Sequence, residues 1–489
     1  MKNSSETRGQ KEIGAVGAGP ARPFTRSTVI IFTGSFAFFA LLPKIFYLKY
    51  FHPLYDYKLM WLNFIGNDYK LGLETPKPLL VLFAGIISPK LFYIFACLFC
   101  AVLVICLCEL SKLYTGGCIC GLGASFLCFF ANYEMLPDTL FPVLWPIFYT
   151  PLLLLCILCF LKKRFILSFS FLFCASLLRP EAWLYLMLFF FWHLLIKTKR
   201  RFIFLFFLSA PLLWSLFDYA ISGDFLLSYN ITAAHPAISN LQTTTFLTFW
   251  PKVLKMVFVF HSMPALIVGM VSMFFCLLQQ DKEKLLSFKN APVYMCLAPF
   301  VFYWLFSLKN DLFVYSRFFT FSICIIYLFA AFFPFIIFKK HKHLAVAGLC
   351  LILLVSAKYD VLNLAIKKRR IDEIRTEIFI EMGNFIKSYQ KRGSINGPVI
   401  IGSDMGYFSF ELGEDFSKKC FFLRKVALSP EVLKGEDPYF LLYYPFNNLQ
   451  KYSFDKFRKT NNYKLTPVFV SRNKEAVIYR ITRNRRDSL

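Results

Sequence analysis

The twenty residues Leu91–Leu110 read LFYIFACLFCAVLVICLCEL and contain one charged side chain, Glu109. At ~1.5 Å per residue such a helix covers the ~30 Å of a bilayer's hydrocarbon core. A backbone in hydrocarbon must satisfy its polar groups within its own segment, so the run predicts a helix and not a strand. Runs of the same kind extend in both directions: Thr28 to Leu48, Pro78–Leu110, Cys118–Ala131, Thr139–Leu161, Phe165–Leu178, Ala182–Ile196, Phe202–Ile221, Pro251–Leu278, Ala291–Phe306, Phe318–Phe338 and Leu344–Ala357. The second of these carries a break at Ser88-Pro89-Lys90. Of the 489 residues 57% are hydrophobic and only 17% charged, too few charges for a soluble chain of this length. The fold class expected is an α-helical polytopic membrane protein of about 11 spans with a small soluble α/β domain at its C-terminal side.

The formal net charge of +26 would suit a nucleic-acid binder, but its distribution does not. Lys162-Lys163-Arg164, Lys197 to Arg201 and Lys339 to Lys342 sit between apolar runs, where the positive-inside rule places cytoplasmic loops. Residues 1–27 are polar and lack an apolar core followed by a small-residue cleavage site. They read as a disordered cytoplasmic tail and not a cleaved signal peptide. With those clusters inside, Asp56, Asp68, Glu134, Asp138, Arg179, Glu181, residues 222–250, Arg317 and everything after about Lys358 fall outside. Ionisable groups at membrane depth are costly and mark sites.

Fourteen of the 15 cysteines lie in or beside apolar runs and read as small packing residues; no metal-ligand spacing is present. Three regions follow: the tail 1–27, a transmembrane region 28–358 and an extracytoplasmic domain 359–489. The last opens with a charged helical stretch, Lys367 to Tyr389. Strand-like runs come next, at Val399–Ile401, Tyr439 to Tyr444, Val468–Val470 and Ala476 to Ile481, which suggests a small α/β fold.

Several residues on the outer side could carry chemistry. Asp56 follows the first span. It could act as general base towards an acceptor hydroxyl, help hold a divalent cation, or be an ordinary loop aspartate. Residues 56–67 have the amphipathic pattern of an interfacial helix. Glu134 and Asp138 flank Leu136-Pro137 and would share one face of a helical turn, as a second acidic group at the site or as plain turn residues. Arg179-Pro180-Glu181 interrupts apolar sequence on both sides. Arg179 could bind phosphate through its planar fork, or pair with Glu181 to close a hairpin. Asp224 lies in the loop that begins after the seventh span. Arg317 stands at the start of a late span, for a lipid-linked phosphate or as an interfacial anchor.

The order of these pieces resembles the GT-C superfamily of polytopic glycosyltransferases, and most closely its bacterial dolichyl-phosphate-mannose-type branch. The residues carrying the resemblance are Asp56 in the first outer loop, Glu134 or Asp138 after the third span, and Arg179-Pro180-Glu181. Gly223-Asp224-Phe225-Leu226, Arg317-Phe318 and, in the tail, Ser403-Asp404-Met405-Gly406 complete the set. The chain departs from the family in following Asp56 with Tyr57 and Lys58 instead of a second acid, and in lacking the usual proline after Asp224. The resemblance implies transfer of a sugar from a polyprenyl-phosphate donor to a hydroxyl of a glycan, lipid or protein acceptor, at the outer face of a bacterial plasma membrane. It implies Asp56 as the base, Arg179 and Arg317 on the donor phosphate, and Glu181 and Asp224 in support. It assigns no cofactor firmly: a divalent cation is compatible with the acids, and the missing acidic doublet leaves a metal requirement unassigned.

Two other classes compete. A transporter or flippase would place charges at mid-membrane on matching halves and show inverted repeats; here the polar residues gather at one face and no repeat is seen. An oligosaccharide ligase or polymerase would also use lipid-linked sugars, with a large outer loop.

Overall fold

The computed structural model describes residues 26–45, 78–86, 89–115, 117–131, 146–195, 203–228, 244–278, 290–309, 316–357, 377–389, 391–392, 397–402, 420–423, 438–444, 448–460 and 463–483. Up to residue 357 the regular structure is helical: α1 Arg26–Ile45, α2 Pro78–Ile86, α3 Pro89–Thr115, α4 Ile119–Phe130, α5 Pro146–Leu161, α6 Phe165–Leu178 and α7 Ala182–Leu195. These are followed by α8 Ile203–Ser222, α9 Phe249–Phe260, α10 Met263–Leu278, α11 Ala291–Phe306, a 3-10 turn Ser316–Phe319, α12 Thr320–Ile337 and α13 Lys342–Ser356. Among the described residues two stretches, Ile94–Thr115 in α3 and Thr320–Ile337 in α12, are long and apolar enough to cross a membrane, and eight further apolar helices are shorter.

Helix α12 is the hub. Its side chains from Thr320 to Phe332 are all buried, and α4, α10, α11 and α13 pack around it. The bundle interior is one continuous apolar cluster running from Phe39 to Leu349. Leucines such as Leu208, Leu212 and Leu216 on α8 point outward instead, the pattern of helices whose outer faces meet lipid. Small residues let helices approach closely where apolar surface alone gives no drive to associate. At Gly269 of α10, a Cβ would fall on the carbonyl oxygen of Ile326 in α12.

Proline punctuates the bundle. Pro89 opens α3 at the position where its missing N–H costs nothing, so the expected break at Ser88-Pro89 lies between α2 and α3. The single span expected over Pro251–Leu278 is instead split into α9 and α10 at an extended His261 (φ −131°, ψ 164°). Pro264 follows closely; it has no N–H for the carbonyl four residues before it, at the end of α9, and its ring would clash there, so one helix cannot run through. The Ser262 N–H turns away from its own helix. It donates to the Ala131 carbonyl at 3.1 Å and the Tyr327 hydroxyl at 3.2 Å, while that hydroxyl donates to Ala131 at 2.9 Å.

In the C-terminal region a five-stranded sheet has the order β2-β1-β3-β5-β4, from β1 Val399–Gly402, β2 Cys420–Phe422, β3 Phe440–Tyr443, β4 Tyr463–Val470 and β5 Val477–Arg483. β1 runs parallel to both β2 and β3, with Val399 opposite Cys420 and Phe440; β5 is antiparallel to β3 and β4. Side chains alternate across the sheet. Val399, Ile401 and Leu442 meet Ile378, Met382 and Ile386 of the helix over 377–389 (α14) on one face. Ile400, Leu441 and Ile481 meet Phe457 of α15 Asn448–Thr460 on the other. The α/β character is as expected. Strand β2 and helix α15 were not, and the run at Val468–Val470 is the end of an eight-residue edge strand whose register shifts beside Pro467.

Candidate functional site

The Arg-Pro-Glu step has the geometry its sequence dictates. Pro180 disfavours helix at the residue before it, so Arg179 is extended (φ −150°, ψ 128°) and closes α6 with its N–H on the Ala175 carbonyl at 3.0 Å. The chain reverses at once: Ala182, Trp183 and Leu184 donate back to Arg179, Pro180 and Glu181 and start α7. This tight corner puts the Arg179 guanidinium, buried, in an ion pair with Glu181. The guanidinium also lies 5.4 Å from the ring centroid of Phe318, which belongs to the 3-10 turn Ser316–Phe319.

Aromatic polar groups surround the pair. The phenols of Tyr149 on α5 and Tyr303 on α11 lie within electrostatic reach of both Arg179 and Glu181, and that of Tyr185 on α7 within reach of Glu181. The second carboxylate oxygen of Glu181 and the indole nitrogen of Trp183 are buried without a hydrogen-bond partner among the described residues. The Arg179–Glu181 corner between α6 and α7, polar aromatics from α5, α7 and α11, and the Phe318 ring from the turn before α12 thus converge at one end of the bundle.

A second buried carboxylate lies close by. Asp218, in the last turn of α8, accepts the Ser228 hydroxyl at 2.7 Å and the Ser228 backbone N–H at 2.9 Å; the Ser228 hydroxyl accepts the Trp214 indole N–H at 2.8 Å. The two tryptophans link the clusters, since Trp183 meets Trp214 edge-on at 5.9 Å between centroids. Ser228 can fold back on Asp218 because Gly223 takes φ 77°, a left-handed conformation glycine adopts without strain. Asp224 accepts the Leu226 N–H at 2.8 Å and shapes that turn; it is a turn-forming residue in this structure.

Of the residues singled out in the sequence, Arg179, Glu181 and the backbone at Arg317 are brought together. Asp224 lies in the neighbouring turn. Asp56, Glu134 and Asp138 lie outside the described residues, as do the amphipathic stretch after Asp56 and the Ser403–Gly406 step. Among the described residues no cluster of three or more His, Cys, Asp or Glu side chains could hold a metal ion. Asp218, at the start of the outer-loop stretch Asp218 to Asp224, is given no role by the sequence, although a lone acid in the apolar run Leu212–Ala220 is a visible signal; Tyr149, Tyr303 and Trp183 give none beyond that of interfacial aromatics.

The opposite end has its own cluster. Glu109 near the end of α3 takes Lys112 at 2.6 Å and Lys162, just past α5, at 3.5 Å, and Thr28 near the start of α1 donates to it at 3.4 Å.

These features define a class: a polytopic helical membrane protein with a small mixed α/β unit at its C-terminal side. Among solved structures it is similar to the oligosaccharyltransferase of Archaeoglobus fulgidus in its apo form, with 10% sequence identity and a TM-score of 0.51. The match covers 94% of this chain and 75% of that one. The likeness is one of fold, in keeping with the helical polytopic architecture expected from the sequence. No protein-family model matches the sequence, and no curated protein matches it.

Proposed function

We propose that the chain is a membrane glycosyltransferase that moves a sugar from a polyprenyl-phosphate donor to a hydroxyl of a glycan, lipid or protein acceptor. One observation carries the reading: a buried Arg179–Glu181 pair beside the turn bearing Arg317, at one end of a fold like that of an oligosaccharyltransferase. In this reading residues 28–358 form the catalytic region, 359–489 stand beside it outside the cytoplasm, and the membrane is a bacterial plasma membrane.

A polyprenyl phosphate is already a leaving group, so the protein has two tasks. The carboxylate of Asp56 takes the proton from the acceptor hydroxyl as its oxygen bonds to the anomeric carbon, a step worth roughly 10²–10⁴-fold. Glu134 or Asp138 is the second acid. The bond from the anomeric carbon to the phosphate oxygen breaks, and Arg179 and Arg317 hold the negative charge that stays on the lipid phosphate. A guanidinium presents five donors in a fixed fork, so pairing with Glu181 and contact with phosphate are compatible. Glu181 then fixes the fork's orientation.

The test is turnover of a panel of polyprenyl-phosphate hexoses and pentoses by reconstituted protein, read as release of polyprenyl phosphate. Asp56→Asn should abolish release while the variant still inserts and binds donor. Full turnover in that variant would move the base to Glu134 or Asp138, and no release from any donor by the wild type would end the reading. The oligosaccharyltransferase likeness favours a second reading, a ligase that transfers a preassembled lipid-linked glycan. Release from glycan-bearing donors only would select it.

A further inference from the structure

The exposed side chains at the end of α8 form a pattern that the catalytic reading leaves unused. Leu208, Leu212, Leu216 and Tyr219 line one stripe of the helix at three- and four-residue spacing and are all exposed. Such a stripe on an apolar helix faces lipid. At its end the chain turns back along the helix. Gly223 reverses it, Asp224 tightens the turn, and Phe225 is laid back on Tyr219, the two rings stacked at 4.3 Å with 12° between their planes. Phe225 and Leu226 are 49% and 56% exposed in a turn where polar residues would satisfy the backbone equally well. Two residues later the chain is locked to the bundle interior by Ser228 on Asp218 and Trp214.

We infer that the turn Gly223–Leu226 is a membrane anchor. Phe225 and Leu226 sit in the boundary between headgroups and acyl chains of the leaflet at the Arg179 end, continuing the lipid-facing stripe of α8. The occupant is the phospholipid bilayer itself. The stripe is continuous with the turn, and aromatic rings favour this depth. Asp224 sits at headgroup level, where a charge is tolerated. The buried Asp218–Ser228–Trp214 link, and Trp214 against Trp183, then tie the level of the bilayer surface to the corner carrying Arg179 and Glu181. That corner would stand where a lipid-linked phosphate lies. The inference rests on the membrane reading of the fold and not on the transfer reaction.

The experiment uses the full chain in lipid nanodiscs with an environment-sensitive fluorescent amino acid placed, one position at a time, at Phe225, Leu226, Leu212 and Lys474. Lys474 is an exposed residue of the turn between β4 and β5. Lipids with a nitroxide near the headgroup should quench positions 225 and 226 at least twofold more than lipids with a nitroxide at the chain end. Leu212 should show the reverse order, and Lys474 should respond only to aqueous iodide. Quenching of 225 and 226 by iodide alone, with Leu212 still quenched by lipid, overturns the anchor and spares the membrane reading. Failure of Leu212 as well would sink both. Unlabelled wild type gives an independent measurement: a phospholipid with a photoreactive group near its carbonyls should crosslink to the peptide spanning 219–226. Crosslinks confined to the middle of α8 would count against the anchor.

Discussion

Arg179 cannot continue α6, because the residue after it is proline, and a buried guanidinium then needs an anion at a fixed place. Glu181 supplies it two positions on, held by the first turn of α7. The pair could do no more than close the hairpin, or it could also hold a phosphate, and the conservative variant separates the two. A lysine keeps the charge but replaces a planar fork with a point donor. Arg179→Lys should weaken binding of a polyprenyl phosphate to the purified protein about tenfold or more, since a charge-assisted hydrogen bond is worth roughly 1.5–3 kcal/mol. It should leave the thermal midpoint closer to wild type than Arg179→Ala does. Unchanged affinity in both variants, with only stability lowered, would leave the corner a structural device and shift the phosphate role to Arg317. This corner was legible in the sequence because its cause is local: three adjacent residues set the backbone and the pairing. The pairing of Asp218 was not, because its partner Ser228 is ten residues away behind a glycine reversal. Ser222-Gly223 signals a turn, but nothing in the run says that Ser228 returns to Asp218.

At the scale of elements, hydropathy placed most of the helices and missed the break between α9 and α10. Apolar residues continue on both sides of His261, so composition saw one run. What divides it is Pro264, together with partners for the Ser262 N–H on two other segments. In the C-terminal region β2 is three residues long and α15 is mostly polar, so neither carries the apolar run that flagged the other elements. Close packing was equally hidden. Gly269 looks like one more small residue in an apolar helix, yet it is where α10 comes nearest to the backbone of α12. In an isolated helix, alanine would be favoured over glycine by ~1 kcal/mol. Here the added methyl falls on a carbonyl oxygen that cannot swing aside, and overpacking costs roughly 1–3 kcal/mol. Gly269→Ala should therefore lower the thermal unfolding midpoint in detergent or lipid. Gly34→Ala in α1, where a Cβ meets nothing within 4 Å, should leave it unchanged or raise it. A stabilised Gly269→Ala variant would mean that α10 and α12 do not approach this closely.

For the whole molecule, the two charge clusters define the ends of the bundle. Tyr149 near the start of α5 lies within electrostatic reach of the Arg179 corner, and Lys162 just past its end reaches Glu109. Thirteen residues of helix separate them, about 20 Å along the axis, so the clusters cannot share a membrane face. The Lys162 end also gathers Lys112 from α3, while Lys339 after α12 lies within electrostatic reach of Cys276 near the end of α10. If the basic loops are retained in the cytoplasm, as the positive-inside rule expects, the Arg179 corner should lie on the other side. Helix α13 starts beside Lys342 and runs away from the basic end, so residues after 360 should emerge with Arg179. Reporter fusions test each step. Fusions after Lys163 and after Lys340 should be active only with a cytoplasmic reporter. Fusions after Ser222 and after residue 360 should be active only with a reporter that folds outside. If the fusion after residue 360 reports the same side as the one after Lys163, the orientation of α13 is wrong and the C-terminal sheet cannot stand beside the corner. If all four report opposite to expectation, the bundle is inverted and a donor would have to reach Arg179 from the cytoplasmic leaflet.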